Sequence, residues 1–113
     1  MKQFRRGQIW LVNFDPSFGH EYKKVRPALI VEHDKHIASS AIITLIPISS
    51  QTAKQTDLDI LLKKDAYNRL IADSLIKTVQ ISSFDKRRLI KFIGTVAPEI
   101  MALVAGNIQL LLA

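Results

Sequence analysis

Apolar residues along this chain come in short clusters, rich in branched and aromatic side chains and separated by turn formers. Residues 8–14 and 25–32 are two such clusters, bounded by Gly7, Pro16 and Gly19 and then by His33-Asp34-Lys35-His36, which is the punctuation of strands. Residues 41–48 predict a third strand, with Pro47 near its end, where a missing amide donor costs least. Residues 58–62, 74–80 and 91–96 predict three more. Many short strands at close spacing point to a mainly β fold, a small barrel or sandwich.

Two segments break this pattern. Ser82 or Ser83 is placed to cap a short helical turn over residues 85–89, with Asp85 in its first turn and Lys86, Arg87 and Arg88 later, as the helix dipole favours. A terminal helix is predicted to start at Pro98 and run to the end, with Ile100, Leu103, Val104, Ile108 and Leu111 on one stripe. Met101, Leu110 and Leu112 widen that stripe beyond what one small barrel covers, which points to a dimer. No repeat, linker or low-complexity tract divides residues 1–113, so the expectation is a single domain.

Charge narrows the partner. Sixteen Lys and Arg against ten Asp and Glu leave a formal charge of +6, so the expected partner is anionic: a nucleic acid, a membrane surface or an acidic protein. The absence of cysteine excludes disulfides and thiolate chemistry and fits a reducing compartment. Apolar stretches interrupted by Thr44, Pro47, Pro98 and Glu99 fall short of the roughly 20 residues of a membrane helix. The amino terminus lacks a signal-peptide pattern, so a soluble, cytoplasmic protein is expected.

Between the first two strands lies a polar loop that offers a nucleic acid Lys23, Lys24 and, at the loop-to-strand junction, Arg26 for phosphate, a carboxylate in Glu21, an imidazole in His20 and the Tyr22 ring for stacking. Metal-free RNA cleavage uses the neighbouring 2′-hydroxyl as nucleophile. The protein then supplies a proton acceptor, a donor for the leaving oxygen and cations for the charged transition state. Arg26 is the first candidate, because its planar fork matches paired phosphate oxygens and Pro27 stiffens the backbone beside it; on the residues alone, a surface arginine preceding a strand is the favoured reading. Ser49 and Ser50 close the third strand, whose antiparallel return brings them toward Arg26. His33 and His36 have the spacing of a two-imidazole site but no third ligand nearby, so no metal is expected. Lys86-Arg87-Arg88 reads first as a solvated basic face, with contact to RNA phosphate as the alternative, and Trp10 reads as core.

The arrangement RGQIWLVNFDP…GHE…RPALIV, followed by Leu45-Ile46-Pro47-Ile48-Ser49-Ser50-Gln51, by Asp73-Ser74 with Gln80-Ile81, and by Gly94-Thr95-Val96-Ala97-Pro98-Glu99, resembles the MazF/PemK/Kid toxins of bacterial toxin–antitoxin pairs. The four blocks stand in the family's order and span nearly the whole chain, with the weakest match between Thr52 and Tyr67. The resemblance implies an SH3-like β-barrel with a short helix and a C-terminal helix, acting as a homodimer. It also implies a sequence-specific, cofactor-free and metal-free endoribonuclease that cleaves single-stranded mRNA to 2′,3′-cyclic phosphate and 5′-hydroxyl ends. An acidic, MazE-like antitoxin would neutralise it.

Residue by residue, Arg26 falls on the family's catalytic arginine and Ser49 on its catalytic threonine. Glu21 corresponds to the loop glutamate, and His20 to a histidine that some members carry. Tyr22, Lys23, Lys24, Ser50, Gln51, Lys77 and Gln80 are the expected RNA-binding residues. One departure stands out: plasmid-type members place an arginine and an aspartate on the penultimate strand as acid and base, where this chain has Lys77 and Val79. The proton acceptor is then Glu21, His20, a water or the substrate itself. Two readings from other classes stay open, a CcdB-like toxin that binds DNA gyrase without catalysis, and an RNA-binding module that has lost cleavage.

Overall fold

A computed structural model describes residues 3–14 and 25–113. Seven strands, β1 (Gln8–Asn13), β2 (Val25–Ile30), β3 (Ile42–Ser49), β4 (Asp59–Leu62), β5 (Ser74–Lys77), β6 (Ser82–Asp85) and β7 (Leu89–Thr95), join a short helix α1 (Asp34–Ile37) and a long one, α2 (Pro98–Leu112). The strands run β4-β5-β3-β2-β1-β7, all antiparallel where paired, with β6 on β3. Among the described residues that path is open at β4 and β7, so the mainly β expectation holds and "barrel" describes the curvature only loosely.

Strand β3 organises the sheet by changing neighbours along its length. Its first half pairs with β6 through Ile42–Leu45, and its end pairs with β5 at Ile48 and Ser49. Pro47, which has no N–H to give, falls in the gap between the two. On its other side β3 pairs with β2, Ala28 facing Pro47 and Ile30 facing Leu45.

Alternation along the strands sends side chains to two cores. One joins Ile9, Leu29, Ile46, Ile48, Ile60, Leu62 and Ile76 to Met101 and Val104 of α2. The other holds Trp10, Val12, Ala28, Ile30, Ile43, Leu45 and Leu89, with Phe4, Phe14 and Phe84 packed on it. Trp10 is core as expected, 5% exposed, with Phe4 at 4.9 Å and Phe92 at 6.0 Å between ring centroids in edge-to-face contacts.

Four local expectations are corrected. The strand expected over 74–80 stops at Lys77, whose ψ of 74° turns the chain into a one-turn 3-10 helix, Thr78–Gln80. Ser82 and Ser83 do not cap a turn, because they lie in β6 and pair with β3. The cap is Asp85, which accepts from Arg87 N–H at 2.8 Å and opens the 3-10 turn Lys86–Arg88. The polar run after β2 is not loop throughout: Asp34–Ile37 forms α1, capped by His33. On α2 the buried arc is centred on Met101 and Val104, leaving Leu103 on its flank, 55% exposed.

Candidate ribonuclease site

Register places three of the sequence-selected residues, Arg26, Ser49 and Lys77, on one sheet face. Directly opposed residues of an antiparallel pair point to the same side. Val12 faces Arg26 across β1 and β2. The β2–β3 register, continued two residues past Ala28 and Pro47, sets Arg26 opposite Ser49. Ser49 in turn faces Leu75, and Lys77, two residues on, faces Asp59. Arg26, Ser49, Lys77 and Asp59 therefore share the face that holds the Trp10 core, at its rim.

Arg26 is half-buried and oriented from two sides. Its Nη2 donates to Gln80 Oε1 at 2.9 Å, and its guanidinium carbon lies 5.4 Å from the centroid of the Phe14 ring. Phe14 is itself braced edge-to-face by Phe84 at 5.1 Å. The ring and the amide acceptor together fix the plane of the guanidinium, as bidentate phosphate binding requires.

Ser49 Oγ accepts from Gln51 N–H at 3.2 Å, which ties the turn after β3 back to the strand, while Ser50 and Gln51 are exposed. Lys77 sits in an ion pair. Its Nζ lies 2.7 Å from Asp59 Oδ2, and the side chains are 17% and 0% exposed respectively. Thr56 N–H donates to the same carboxylate at 2.9 Å. Burial opposes ionisation of Asp59, but the Lys77 and Thr56 hydrogen bonds outweigh it and bring its carboxyl below the ordinary value. Val79 is 52% exposed and faces solvent.

His20, Glu21, Tyr22, Lys23 and Lys24 lie outside the described residues. His33 and His36 do come together, with ring centroids 5.9 Å apart. His33 Nδ1, however, accepts Lys35 N–H at 3.0 Å as the cap of α1. No group of three or more His, Cys, Asp or Glu able to hold a metal occurs among the described residues.

The basic run after β6 is only partly the solvated face expected. Lys86 Nζ donates to the Ile37 carbonyl at the end of α1, and Arg88 Nη1 to the Asn13 carbonyl at 3.2 Å. Arg87, its side chain 90% exposed, grips Asp85 through Nε at 3.0 Å and Nη2 at 2.9 Å. The Arg87 hydrogen bonds hold the Asp85 carboxyl down to about 2.

Sequence reasoning missed Asp59, Phe14 and Phe84. The signal for Asp59 was a carboxylate at the inward end of an otherwise apolar strand, a position that demands a cation. The two phenylalanines carried no signal beyond their apolar character.

Residues 5–112 match the profile of the PemK-like, MazF-like toxins of type II toxin–antitoxin systems. The chain belongs to this family. It is 34% identical over 103 residues to the endoribonuclease MazF9 of Mycobacterium tuberculosis (strain ATCC 25618 / H37Rv), covering 87% of this chain and 86% of the relative. It is 32% identical over 112 residues to the endoribonuclease EndoA of Bacillus subtilis (strain 168), covering 96% and 94%. Among solved structures, MazF of Deinococcus radiodurans superposes with a TM-score of 0.79 at 23% identity, covering 96% and 94%. A MazE–MazF structure from the same organism superposes at 0.75 and 20%, covering 96% and 94%. These two likenesses establish the fold of this PemK/MazF-family chain.

Proposed function

We propose that this PemK/MazF-family protein is a sequence-specific endoribonuclease toxin that cleaves single-stranded RNA by attack of the 2′-hydroxyl on the adjacent phosphate. The observation that carries the reading is the Arg26 guanidinium, oriented by Gln80 and Phe14 on the same sheet face as the Ser49 hydroxyl. Arg26 stabilises the charge that builds on the phosphate and donates toward the leaving 5′-oxygen. Guanidinium stays protonated, so it cannot be the acceptor. Ser49 hydrogen-bonds a phosphate oxygen or the 2′-hydroxyl. With Val79 unable to accept a proton, that task falls to Glu21, His20, a water or the substrate itself.

The surface supports two further elements of the reading. Helix α2 carries Glu99 as its single ionisable residue and exposes Leu103, Leu110 and Leu112 by 55%, 66% and 76%. Apolar helix surface of that kind belongs in an interface, and a second copy of this chain is the partner proposed. The +6 charge favours an acidic antitoxin laid over the RNA surface, in keeping with relatives of this fold solved as MazE–MazF. Among the described residues no helix is long and apolar enough to cross a membrane.

The test is incubation of purified protein with a long RNA in EDTA, with ends mapped by primer extension. Discrete cuts at a recurring short sequence are expected. Intact RNA would overturn the reading and leave a toxin that acts by binding, such as a gyrase poison, or a non-cleaving RNA binder.

A further inference from the structure

We propose that Asp59 is a positioning residue of the cleavage site, acting through Lys77; this rests on the reading of Arg26, Ser49 and Lys77 as the RNA-facing groups. Three observations carry it. Lys77 and Asp59 face each other across β5 and β4 on the same sheet face as Ser49 and Arg26, so the pair belongs to the site rather than to the far side of the sheet. The Asp59 side chain is fully buried, while Lys77 keeps 17% of its side chain exposed, so the carboxylate cannot meet a substrate but the ammonium can. Lys77 also opens the 3-10 turn that ends at Gln80, and Gln80 Oε1 holds Arg26 Nη2.

A lysine stem is flexible and its ammonium is a point charge with three rotatable donors. Left alone on a surface, it samples many positions. Clamped at 2.7 Å by a buried carboxylate that Thr56 N–H also holds, it presents its remaining donors in one place, on the sheet face that carries Ser49. The family's strand aspartate is replaced here by Val79, and a carboxylate from the neighbouring strand β4 now organises the strand cation. Its role is orientation, because it has no access to the scissile bond. Through the same anchor, the turn Thr78–Gln80 is held at the residue that caps it, and with it the acceptor that aims Arg26.

The experiment is a double-mutant cycle on kcat and KM, using a fluorogenic RNA that contains a mapped cleavage site, with each variant's melting temperature measured and assays run well below it. Lys77→Met and Asp59→Asn are expected each to lower kcat by about 10- to 100-fold, the scale of a misplaced catalytic contact, with KM changed less than threefold. In the Lys77→Met background, adding Asp59→Asn is expected to leave kcat unchanged, since the positioned group is already gone. Full kcat in a folded Asp59→Asn protein overturns the proposal, as does full kcat in Lys77→Met. A further loss from Asp59→Asn on top of Lys77→Met overturns it too. Should Asp59→Asn alone fail to fold, the double variant, which leaves no unpaired buried charge, is compared with Lys77→Met on the same criterion. Arg26→Ala is run alongside: retained cleavage there refutes the site itself, whereas a dead Arg26→Ala beside a fully active Asp59→Asn refutes only the positioning role.

Discussion

Arg26 and Gln80 are 54 residues apart in the chain and joined at 2.9 Å, the Arg26 Nη2 donating to the Gln80 amide oxygen. The bond crosses from β2, on one side of β3, to the 3-10 turn beyond β5, on the other. A neutral acceptor is the apt choice. Through this bond the amide orients the guanidinium without adding a charge of its own, whereas a carboxylate at the same place would compete with the substrate for the same donor.

Two substitutions separate charge from orientation. Arg26→Ala is expected to lower the cleavage rate by about 10²–10³ without unfolding the protein, the scale for one electrostatic group at a developing negative charge. Gln80→Glu should leave the melting temperature near that of the wild type while weakening RNA binding and slowing cleavage. Circular dichroism together with single-turnover rates decides both. Unimpaired cleavage by a folded Arg26→Ala protein would refute the assignment.

Ser49 tests whether a hydroxyl is needed. Ser49→Thr keeps the oxygen and matches the family's residue, so activity should survive; Ser49→Ala removes it and should be harmful. The Gln51 N–H that bonds Ser49 Oγ is exposed and turns to water instead, so stability should change by less than about 1 kcal/mol. If Ser50→Ala is the damaging change, the hydroxyl that matters lies one residue further along.

Periodicity made most of the strands legible, because alternation along residues 8–14, 25–32 and 41–48 follows burial on a sheet directly. What it did not disclose was set by side chains acting on backbone. Asp85 rather than Ser82 or Ser83 caps the turn because its carboxylate also grips Arg87, a pairing that a list of capping residues ignores. His33 caps α1 with a ring nitrogen, outside the usual capping set. In the site, Arg26 and Ser49 could be chosen by residue type and chain position. The Asp59–Lys77 pair is a cross-strand relationship, and β4 lies between Thr52 and Tyr67, where the match to the family is weakest.

That segment is locked where Gly94 passes it. A Cβ on Gly94 would stand 2.4 Å from the Tyr67 carbonyl oxygen and 2.6 Å from that of Asn68, both backbone atoms that have no rotamer to escape into. Asn68, 1% exposed, is pinned there by accepting from Asp65 and Leu70 N–H groups at 3.1 and 3.0 Å and donating to the Lys63 carbonyl at 2.8 Å. Gly94→Ala should therefore destabilise the protein by about 3 kcal/mol or more, at the upper end of single substitutions, whereas Gly106→Ala, with nothing within 4 Å, should stabilise α2 by up to about 1 kcal/mol. Urea melts of the two variants, read side by side, check the contrast.

The buried pair also sets a pH dependence. Asp59 has its folded-state pKa below the roughly 3.9 of an unfolded chain, so its contribution to stability is present above about pH 4 and is lost as pH falls through the folded value. Asp85, held at about 2 by Arg87, follows the same sign but stands in solvent, where the pairing is screened and contributes little. Asp59→Asn removes the buried carboxylate and should leave Lys77 without its counter-ion at neutral pH. The stability gap between wild type and Asp59→Asn should then be widest and flat from about pH 5 to 8 and should close as the medium is acidified below about pH 4. Urea unfolding followed by tryptophan fluorescence of Trp10 across that range measures the gap, and Asp85→Asn provides the exposed comparison. A gap that stays constant down to pH 2.5 would mean that the ionised Asp59 carboxylate is not what stabilises this end of β4 and β5.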